Sequence, residues 1–405
     1  MKILIVTQHF YPENFKINDL CLELTKRGHE LTILTGKPNY PKGKFYEGYT
    51  FFSKHNEYYH GAKVIRVPVF PRGKGLGIEL FLNYISFAFF GSIFAFFHNK
   101  RYNFSFVFSV SPITAAIPGI IHKIIYGTKL VLWVQDLWPE SVEVTGRLKS
   151  NNIKKYLLNL VKFIYGKSDE IFISSMLMKE SISEKLDPNK NIDIKYMPNW
   201  AEDTFSHNVS DPKKYQNIMP YGFKIMFAGN IGSGQDISSI LKAASKLKNN
   251  SNIKIIFVGD GSLKNYLIDQ IANLKLKKIV YYVGSFPIEE MVHLYCHADM
   301  MLLSLRNELI YSYTVPGKFQ SYLASKNPVI AMINGEVSRI IKKSGCGIVV
   351  NAGDYNALAS ELIKLSTLET SSFDEMGENG FNYYQNNFKK NNIVDYFLQS
   401  LNSYE

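Results

Sequence analysis

The sequence predicts an α/β protein of two domains, each a parallel sheet covered on both faces by helices. Three observations carry this reading. Short apolar runs alternate with stretches of helical apolar spacing. The alternation stops in a polar connector just after residue 200 and then restarts. At 405 residues the chain is long enough for two cores of ordinary size.

In the first series the expected strands are 2–7, 29–35, 63–69, 104–110, 129–134, 169–174 and 192–197, with helices over 17–27, 112–126 and 153–166. Most of the strands are near-continuous apolar runs, as in strands buried on both faces. After Met197-Pro-Asn-Trp-Ala201 the stretch Glu202 to Tyr221 has little periodicity and reads as a connector, with a hinge near residue 200. Strands then recur near 223–229, 253–258, 279–283, 299–304, 328–332 and 346–350, with helices between them. Neither series contains a repeat or a low-complexity tract. Ligands of such sheets bind at the carboxyl ends of the strands, so the cleft between the domains is the expected site.

Composition excludes several classes. Hydrophobic residues make up 46% and charged ones 20%, the balance of a folded globular chain and not a disordered one. Lys2-Ile-Leu-Ile-Val-Thr7 reads as a buried strand and not as a signal peptide, so no secretory signal is expected. Three cysteines without CxxC spacing suit a reducing cytosol and argue against a disulfide framework.

The net charge of +11 is unevenly divided. Residues 1–200 carry 26 Lys and Arg against 16 Asp and Glu, while residues 201–405 carry 20 against 19. The segment 37–101 is denser still, and aromatics such as Tyr46, Phe51, Phe52, Tyr58 and Phe81 are interleaved with its cations. This mixture fits an anionic membrane surface. It also fits nucleic acid, or a scattered, solvated positive surface. Within the segment, 78–97 is nearly apolar and has the length of a membrane span. Its polar members Glu79, Asn83 and Ser86 form one helical stripe, and it lies between two strands of one expected sheet. The preferred reading is a helix packed on that sheet and dipping into a membrane interface; a span and an ordinary buried helix are the alternatives.

Motifs add the chemistry. Gly229-Asn-Ile-Gly-Ser-Gly234 follows a strand and opens a helix, where backbone N–H groups and the helix dipole can hold a pyrophosphate. It is not the GxGxxG fingerprint and no acidic residue follows about twenty residues on, so a nicotinamide site is not expected. Phe257-Val-Gly-Asp-Gly-Ser262 has the same standing; either turn could serve close packing alone. His293 and His297, with Cys296 beside them, have metal-ligand spacing on an expected helix, but core or surface histidines are the default. No Asp-x-Asp pair is present to bridge a divalent cation. Asp136, in Leu132-Trp-Val-Gln-Asp-Leu-Trp-Pro-Glu-Ser141, sits at the carboxyl end of a strand, where a carboxylate could orient a sugar hydroxyl or take its proton. A capping or turn aspartate is the other reading.

Phe10-Tyr-Pro-Glu-Asn14, Leu24-Thr-Lys-Arg-Gly-His-Glu-Leu-Thr-Ile-Leu-Thr-Gly36 and Pro38-Asn-Tyr-Pro-Lys-Gly43 resemble glycosyltransferase family 4. Val134-Gln-Asp-Leu-Trp-Pro-Glu-Ser141, Met197-Pro-Asn-Trp200, Phe227-Ala-Gly-Asn-Ile-Gly232 and Pro316-Gly-Lys318 resemble its branch of O-antigen and capsule enzymes, which includes N-acetyl-L-fucosaminyl transferases. The resemblance spans nearly the whole chain and lies in the ordered set. It implies a GT-B fold of two facing Rossmann-like domains, 1–200 for the acceptor and 201–388 for the nucleotide sugar, with 389–405 packing back on the first. It further implies retaining, metal-independent transfer without a cofactor. The expected donor is a nucleotide sugar, with UDP the expected nucleotide, and the expected acceptor a polyprenyl-diphosphate-linked glycan at the inner face of the cell membrane. Nucleic acid is not an expected partner.

Carried over by position, Gly229, Asn230 and Gly232 would lie against the donor diphosphate, Gly284, Ser285 and Phe286 against the base, and Lys318 at the leaving phosphates, with Asp136 as the second catalytic candidate. Asn14, Phe15 and Lys16 stand where relatives place a glycine pair. Gly317 and Ser321 complete the donor set. The family's glutamate pair would fall at Tyr313 and Ser321, neither acidic, which leaves Arg306 and Glu308 as substitutes. The expected lysine after the glycine loop is Gln235. A GT-B sugar-nucleotide epimerase and a basic nucleic-acid-binding module are the alternative functions.

Overall fold

The computed structural model describes residues 1–53, 55–143, 150–207, 210–250 and 252–402. The chain divides into two compact units, Met1–Met197 with Val394–Glu405, and Pro198–Ile393.

In the first unit β1 (Lys2–Val6), β2 (Glu30–Gly36), β3 (Asn56–Tyr59), β4 (Ala62–Val67), β5 (Phe104–Ser109), β6 (Lys129–Val134), β7 (Glu170–Ile173) and β8 (Asp193–Tyr196) form one sheet in the order β3-β4-β2-β1-β5-β6-β7-β8. Its helices are α1 (Lys16–Lys26), α2 (Gly77–Phe97), α3 (Ile117–Tyr126), α4 (Glu140–Glu143), α5 (Asn151–Lys167) and α6 (Met178–Ser183). All seven strands expected here form, and they pair in parallel. The sequence reading missed β3, a polar, half-exposed edge strand that pairs antiparallel to β4. The expected helix 112–126 begins as a 3-10 turn, Ile113–Ala116, and stops where Gly127 takes φ 70° and returns its N–H to the Lys123 carbonyl.

Helix α2 joins β4 to β5 of the same sheet, so it is not a span separating them. Its polar stripe faces the protein: Asn83 and Ser86 are buried while most of its phenylalanines and isoleucines are exposed. Asn83 accepts a hydrogen bond from Gln8 Nε2 at 2.7 Å and donates to the Phe70 carbonyl at 2.6 Å. Gly91 is required by the close pass of α3, since a Cβ there would stand 2.7 Å from Pro118 Cγ.

In the second unit β9 (Phe223–Ala228), β10 (Ile253–Val258), β11 (Val280–Gly284), β12 (Met300–Ser304), β13 (Val329–Met332) and β14 (Gly347–Val350) form a parallel sheet in the order β11-β10-β9-β12-β13-β14. The helices are α7 (Thr204–His207), α8 (Ile237–Lys246), α9 (Lys264–Asn273), α10 (Met291–Tyr295), α11 (Leu309–Ser312), α12 (Gly317–Ala324), α13 (Glu336–Ser344), α14 (Tyr355–Leu365) and α15 (Thr370–Asn387). Alternate residues of each strand feed two cores. Ile225, Phe227, Ile255, Phe257 and Leu302 pack with Ile240 of α8 and Leu358 of α14. Met226, Ile256, Met301 and Leu303 pack with Phe319 of α12 and Ile340 of α13 on the other face. This is the period of two acting on strands apolar on both sides. The connector, of which residues 208 and 209 lie outside the described set, holds α7 and a short turn, Gln216–Ile218.

The last helix, α16 (Lys390–Ser400), enters the first unit at Val394. Of the expected segment 389–405, residues 403–405 lie outside the described set. Phe397 is fully buried, its ring centroid 4.9 Å from that of Phe106 and 5.4 Å from that of Phe172. Phe397→Ala leaves a cavity against β5 and β7 and should destabilise the first unit by about 3–5 kcal/mol in denaturant titration. A loss below about 1 kcal/mol would mean that α16 adds little to this core.

Candidate functional site

The second unit reverses its strand order between β9 and β12, and the loops leaving the carboxyl ends of β9, β10 and β11 converge there. They are tied backbone to backbone. Gly229 N–H donates to Val258 O (2.9 Å), Ile231 N–H to Asp260 O (2.7 Å) and Gly259 N–H to Gly284 O (2.8 Å). Gly229 and Gly259 adopt φ of 124° and 133°, and a Cβ on Gly259 would lie 2.0 Å from the Gly229 carbonyl oxygen. Glycine is therefore needed at residue 259 on both counts. Phe257-Val-Gly-Asp-Gly-Ser262 thus packs closely on the Gly229 loop, and its Gly259 and Asp260 also line the cavity that the loops border.

These loops and the start of α12 border a cavity of about 400 Å³. Of the sequence candidates, Gly229, Asn230, Ser285, Phe286, Gly317, Lys318 and Ser321 all line it. Gly232 does not, although it belongs to the same loop. Helix α12 begins at Gly317 with no side-chain cap, and Gly317 has open space above its Cα. Its first-turn N–H groups and dipole favour an anion there.

Lys318 is the cation of the cavity. Its Nζ donates to Gln235 Oε1 at 2.7 Å and stands 3.8 Å from the centroid of the Phe227 ring. Burial pulls its ammonium from the usual lysine range down to about 7. The Lys318 side chain lies directly over Gly229, its Cε 3.4 Å from where a Cβ would stand, so at residue 229 it is the φ of 124° that calls for glycine. Gln235, standing where a lysine was expected, thus orients the cation supplied by α12.

Glu202 was missed by sequence reasoning because it lies in the aperiodic connector. It lines the cavity, and its Oε2 accepts from Ser321 Oγ at 3.1 Å. A carboxylate is therefore brought to Ser321, where the family's second glutamate would fall. Tyr295, Met291 and Ile288 add an apolar wall beside Phe286. Arg306 and Glu308 are not among the residues lining the cavity; they pair with each other (3.7 Å), and the Arg306 N–H donates to Gly234 O at 3.0 Å.

The remaining candidates belong to the first unit. Asp136 lies just beyond β6, and its Oδ2 accepts from Ser111 N–H and Ser111 Oγ, both at 3.0 Å, fastening the end of β6 to that of β5. Burial raises its pKa, opposed by the Ser111 hydrogen bonds. Asn14 is exposed, Phe15 precedes α1 and stacks on His9 with centroids 5.0 Å apart, and Lys16 opens α1. His9 and Glu13, also missed, are both buried and share a 2.8 Å contact at the carboxyl end of β1. Glu13 Oε1 also accepts from the Asn39 and Tyr40 N–H groups at 2.6 Å.

The histidine pair does not share a helix, because α10 ends at Tyr295. His293 Nδ1 accepts from Asp211 N–H at 3.0 Å, and His297 Nε2 donates to Lys214 O at 2.7 Å. Both tie the connector to the α10 region. Among the described residues no group of three His, Cys, Asp or Glu could hold a metal ion.

Residues 213–383 match the family model Glycosyl transferases group 1. The chain is 31% identical over 258 residues to the "Probable glycosyltransferase WbjE" of Pseudomonas aeruginosa, covering 61% of this chain and 62% of that one, under two thirds of its length. It is 24% identical over 303 residues to the "Putative colanic acid biosynthesis glycosyl transferase WcaI" of Escherichia coli K12, covering 71% of this chain and 72% of that one. Among solved structures it resembles sucrose-phosphate synthase from Thermosynechococcus elongatus (TM-score 0.74, 16% identity, 98% and 97% covered). It also resembles Anabaena Alr3699/HepE in complex with UDP (TM-score 0.72, 14% identity, both chains covered in full). The fold is that of GT-B glycosyltransferases, and with the match over residues 213–383 it supports a glycosyltransferase family for this chain.

Proposed function

We propose that this protein transfers a sugar from a nucleotide-diphosphate donor, with UDP the expected nucleotide, to a polyprenyl-diphosphate-linked glycan. The sugar expected from the sequence resemblance is an N-acetylated deoxyhexosamine such as N-acetyl-L-fucosamine, and the product a capsule or O-antigen glycan. The observation that carries the reading is the meeting of Lys318, the open start of α12 and the Gly229 loop on one cavity. Three features that favour anions share one wall. The UDP of the HepE complex and the colanic acid biosynthesis in the name of WcaI lend support.

In this mechanism the bond between the sugar's anomeric carbon and the diphosphate breaks, and the departing charge meets Lys318 and the N–H groups of Gly317 and its neighbours. The acceptor hydroxyl attacks from the face that the diphosphate leaves, its oxygen bonding to the anomeric carbon and its proton passing to the departing diphosphate, so configuration is retained. Phe286 and the apolar wall take the base, and Glu202 takes ribose hydroxyls. Asp136, in the first unit, orients the acceptor. Charge neutralisation by Lys318 and helix dipole makes a divalent cation unnecessary, and the reaction takes place at the inner face of the membrane.

Lys318→Ala should lower kcat/KM on the order of tenfold to a hundredfold, the worth of one charge-assisted hydrogen bond of roughly 1.5–3 kcal/mol. A folded variant with wild-type kcat/KM would remove Lys318 from the mechanism. Because the free lysine titrates near 7 and a diphosphate favours its charged form, UDP binding at pH 8 should take up protons. Calorimetry in buffers of different ionisation enthalpy reads that uptake, which Lys318→Ala should abolish. Binding should accordingly weaken as pH rises above 7.

Transfer should survive excess EDTA, and full loss restored by manganese would overturn metal independence. Asp136→Asn keeps shape and removes charge, so transfer should fall while UDP affinity persists. Equal weakening of UDP affinity and of thermal stability would make Asp136 only the fastening between β5 and β6.

A further inference from the structure

Helix α2 is built inside out for a water-soluble unit. Asn83, Ser86, Gly91 and Ala95 are buried against the protein, whereas Ile78, Phe81, Ile85, Phe89, Ile93 and Phe96 are 42–68% exposed. These six recur every three or four residues, so they form one outward stripe about 28 Å long. No Asp, Glu, Lys or Arg occurs from Leu80 to His98. Phe52, 78% exposed, extends the face beside Phe51, which packs on Phe90; α3, which packs on α2 at Gly91, carries Ile124, 58% exposed. A continuous apolar face of this size on a folded unit marks a contact surface.

Its rim decides the occupant. Exposed Lys42, Lys44 and Lys74 gather at the start of α2, where Gly73 N–H bonds to Gly43 O at 3.0 Å, and exposed Arg101 lies just past its end. Glu47 and Glu79 are the exposed carboxylates of that region, and Glu79 is turned to the Lys74 N–H at 3.1 Å. A second copy would bring two such basic rims together. An anionic bilayer attracts them. The sheet also limits depth, because α2 links two strands on one side of any membrane.

We propose that the outward face of α2, with Phe52 and Ile124, lies in the boundary between headgroups and acyl chains of an anionic bilayer. This rests on the proposed function only in placing the acceptor in a membrane.

The test uses the full chain with phosphatidylcholine vesicles, with and without phosphatidylglycerol, at low and high salt. Phe89→Ser with Phe96→Ser should weaken partitioning by about tenfold or more at either salt, with thermal unfolding and UDP binding unchanged. Lys42→Ser with Lys44→Ser should weaken it at low salt only. Unchanged partitioning of the phenylalanine variant would overturn the proposal. So would a wild-type dimer in light scattering that does not bind vesicles and becomes monomeric in that variant. Resistance of the expressed protein to extraction by both salt and alkaline carbonate would make α2 a span and equally overturn it. Lost vesicle binding with intact UDP binding leaves sugar transfer standing, whereas normal vesicle binding without UDP binding sinks the donor reading alone.

Discussion

The contact between the backbones of Gly229 and Gly259 is the constraint on which the second unit's cavity depends. In a parallel sheet every strand ends on the same edge, so successive loops must share that edge without filling it. Here the β10 loop presses so closely on the β9 loop that no side chain fits between them. Their N–H groups are spent on each other and on Gly284, which makes the floor rigid. Lys318 lies over this floor, at van der Waals distance from where a Cβ on residue 229 would stand, and is held by Gln235 Oε1. One pair of glycines thus sets the shape of the floor beneath the cation.

That cation is held under tension. An ammonium buried against an aromatic face, with a neutral amide as its hydrogen-bond partner, keeps little of the solvation it has in water. Its depressed pKa expresses this cost. An anion arriving beside it restores the lost stabilisation, and the gain is greatest where negative charge is most concentrated. In the proposed sugar transfer the departing diphosphate would be that form, and the tension would then favour the transition state over the bound donor.

The fold was legible because nearly every strand is apolar on both faces and thus announces a covered parallel sheet. The failures have the opposite cause. Asn56-Glu-Tyr-Tyr59 is an edge strand with water on one side, so it carries no continuous apolar run. At the site, glycines and Pro316-Gly-Lys318 were legible because special backbone geometry demands special residues. Glu202 was not, since nothing local distinguishes a connector carboxylate that folds back onto Ser321. His9 and Glu13 escaped for the same reason: only the loop after β1 and the Asn39–Tyr40 turn bring their partners together. Arg306 and Glu308 were sought as replacements for missing acids, but their first partner is each other.

Helix α2 shows why composition alone cannot orient a helix. Glu79, Asn83 and Ser86 mark a stripe, and on a helix facing water that stripe would point outward. Here Asn83 and Ser86 point inward because the protein supplies partners: the Gln8 amide, the Phe70 carbonyl and the Phe70 N–H. With Asn83 and Ser86 satisfied within the unit, the apolar side is left as the outer surface. Burying a hydrogen-bonded asparagine is affordable, whereas leaving a row of phenylalanines in water is a standing cost. That cost falls where something other than water meets the row. The inward hydrogen bonds and the outward apolar face are therefore one design, in which polar packing frees the whole hydrophobic side of the helix for an external partner.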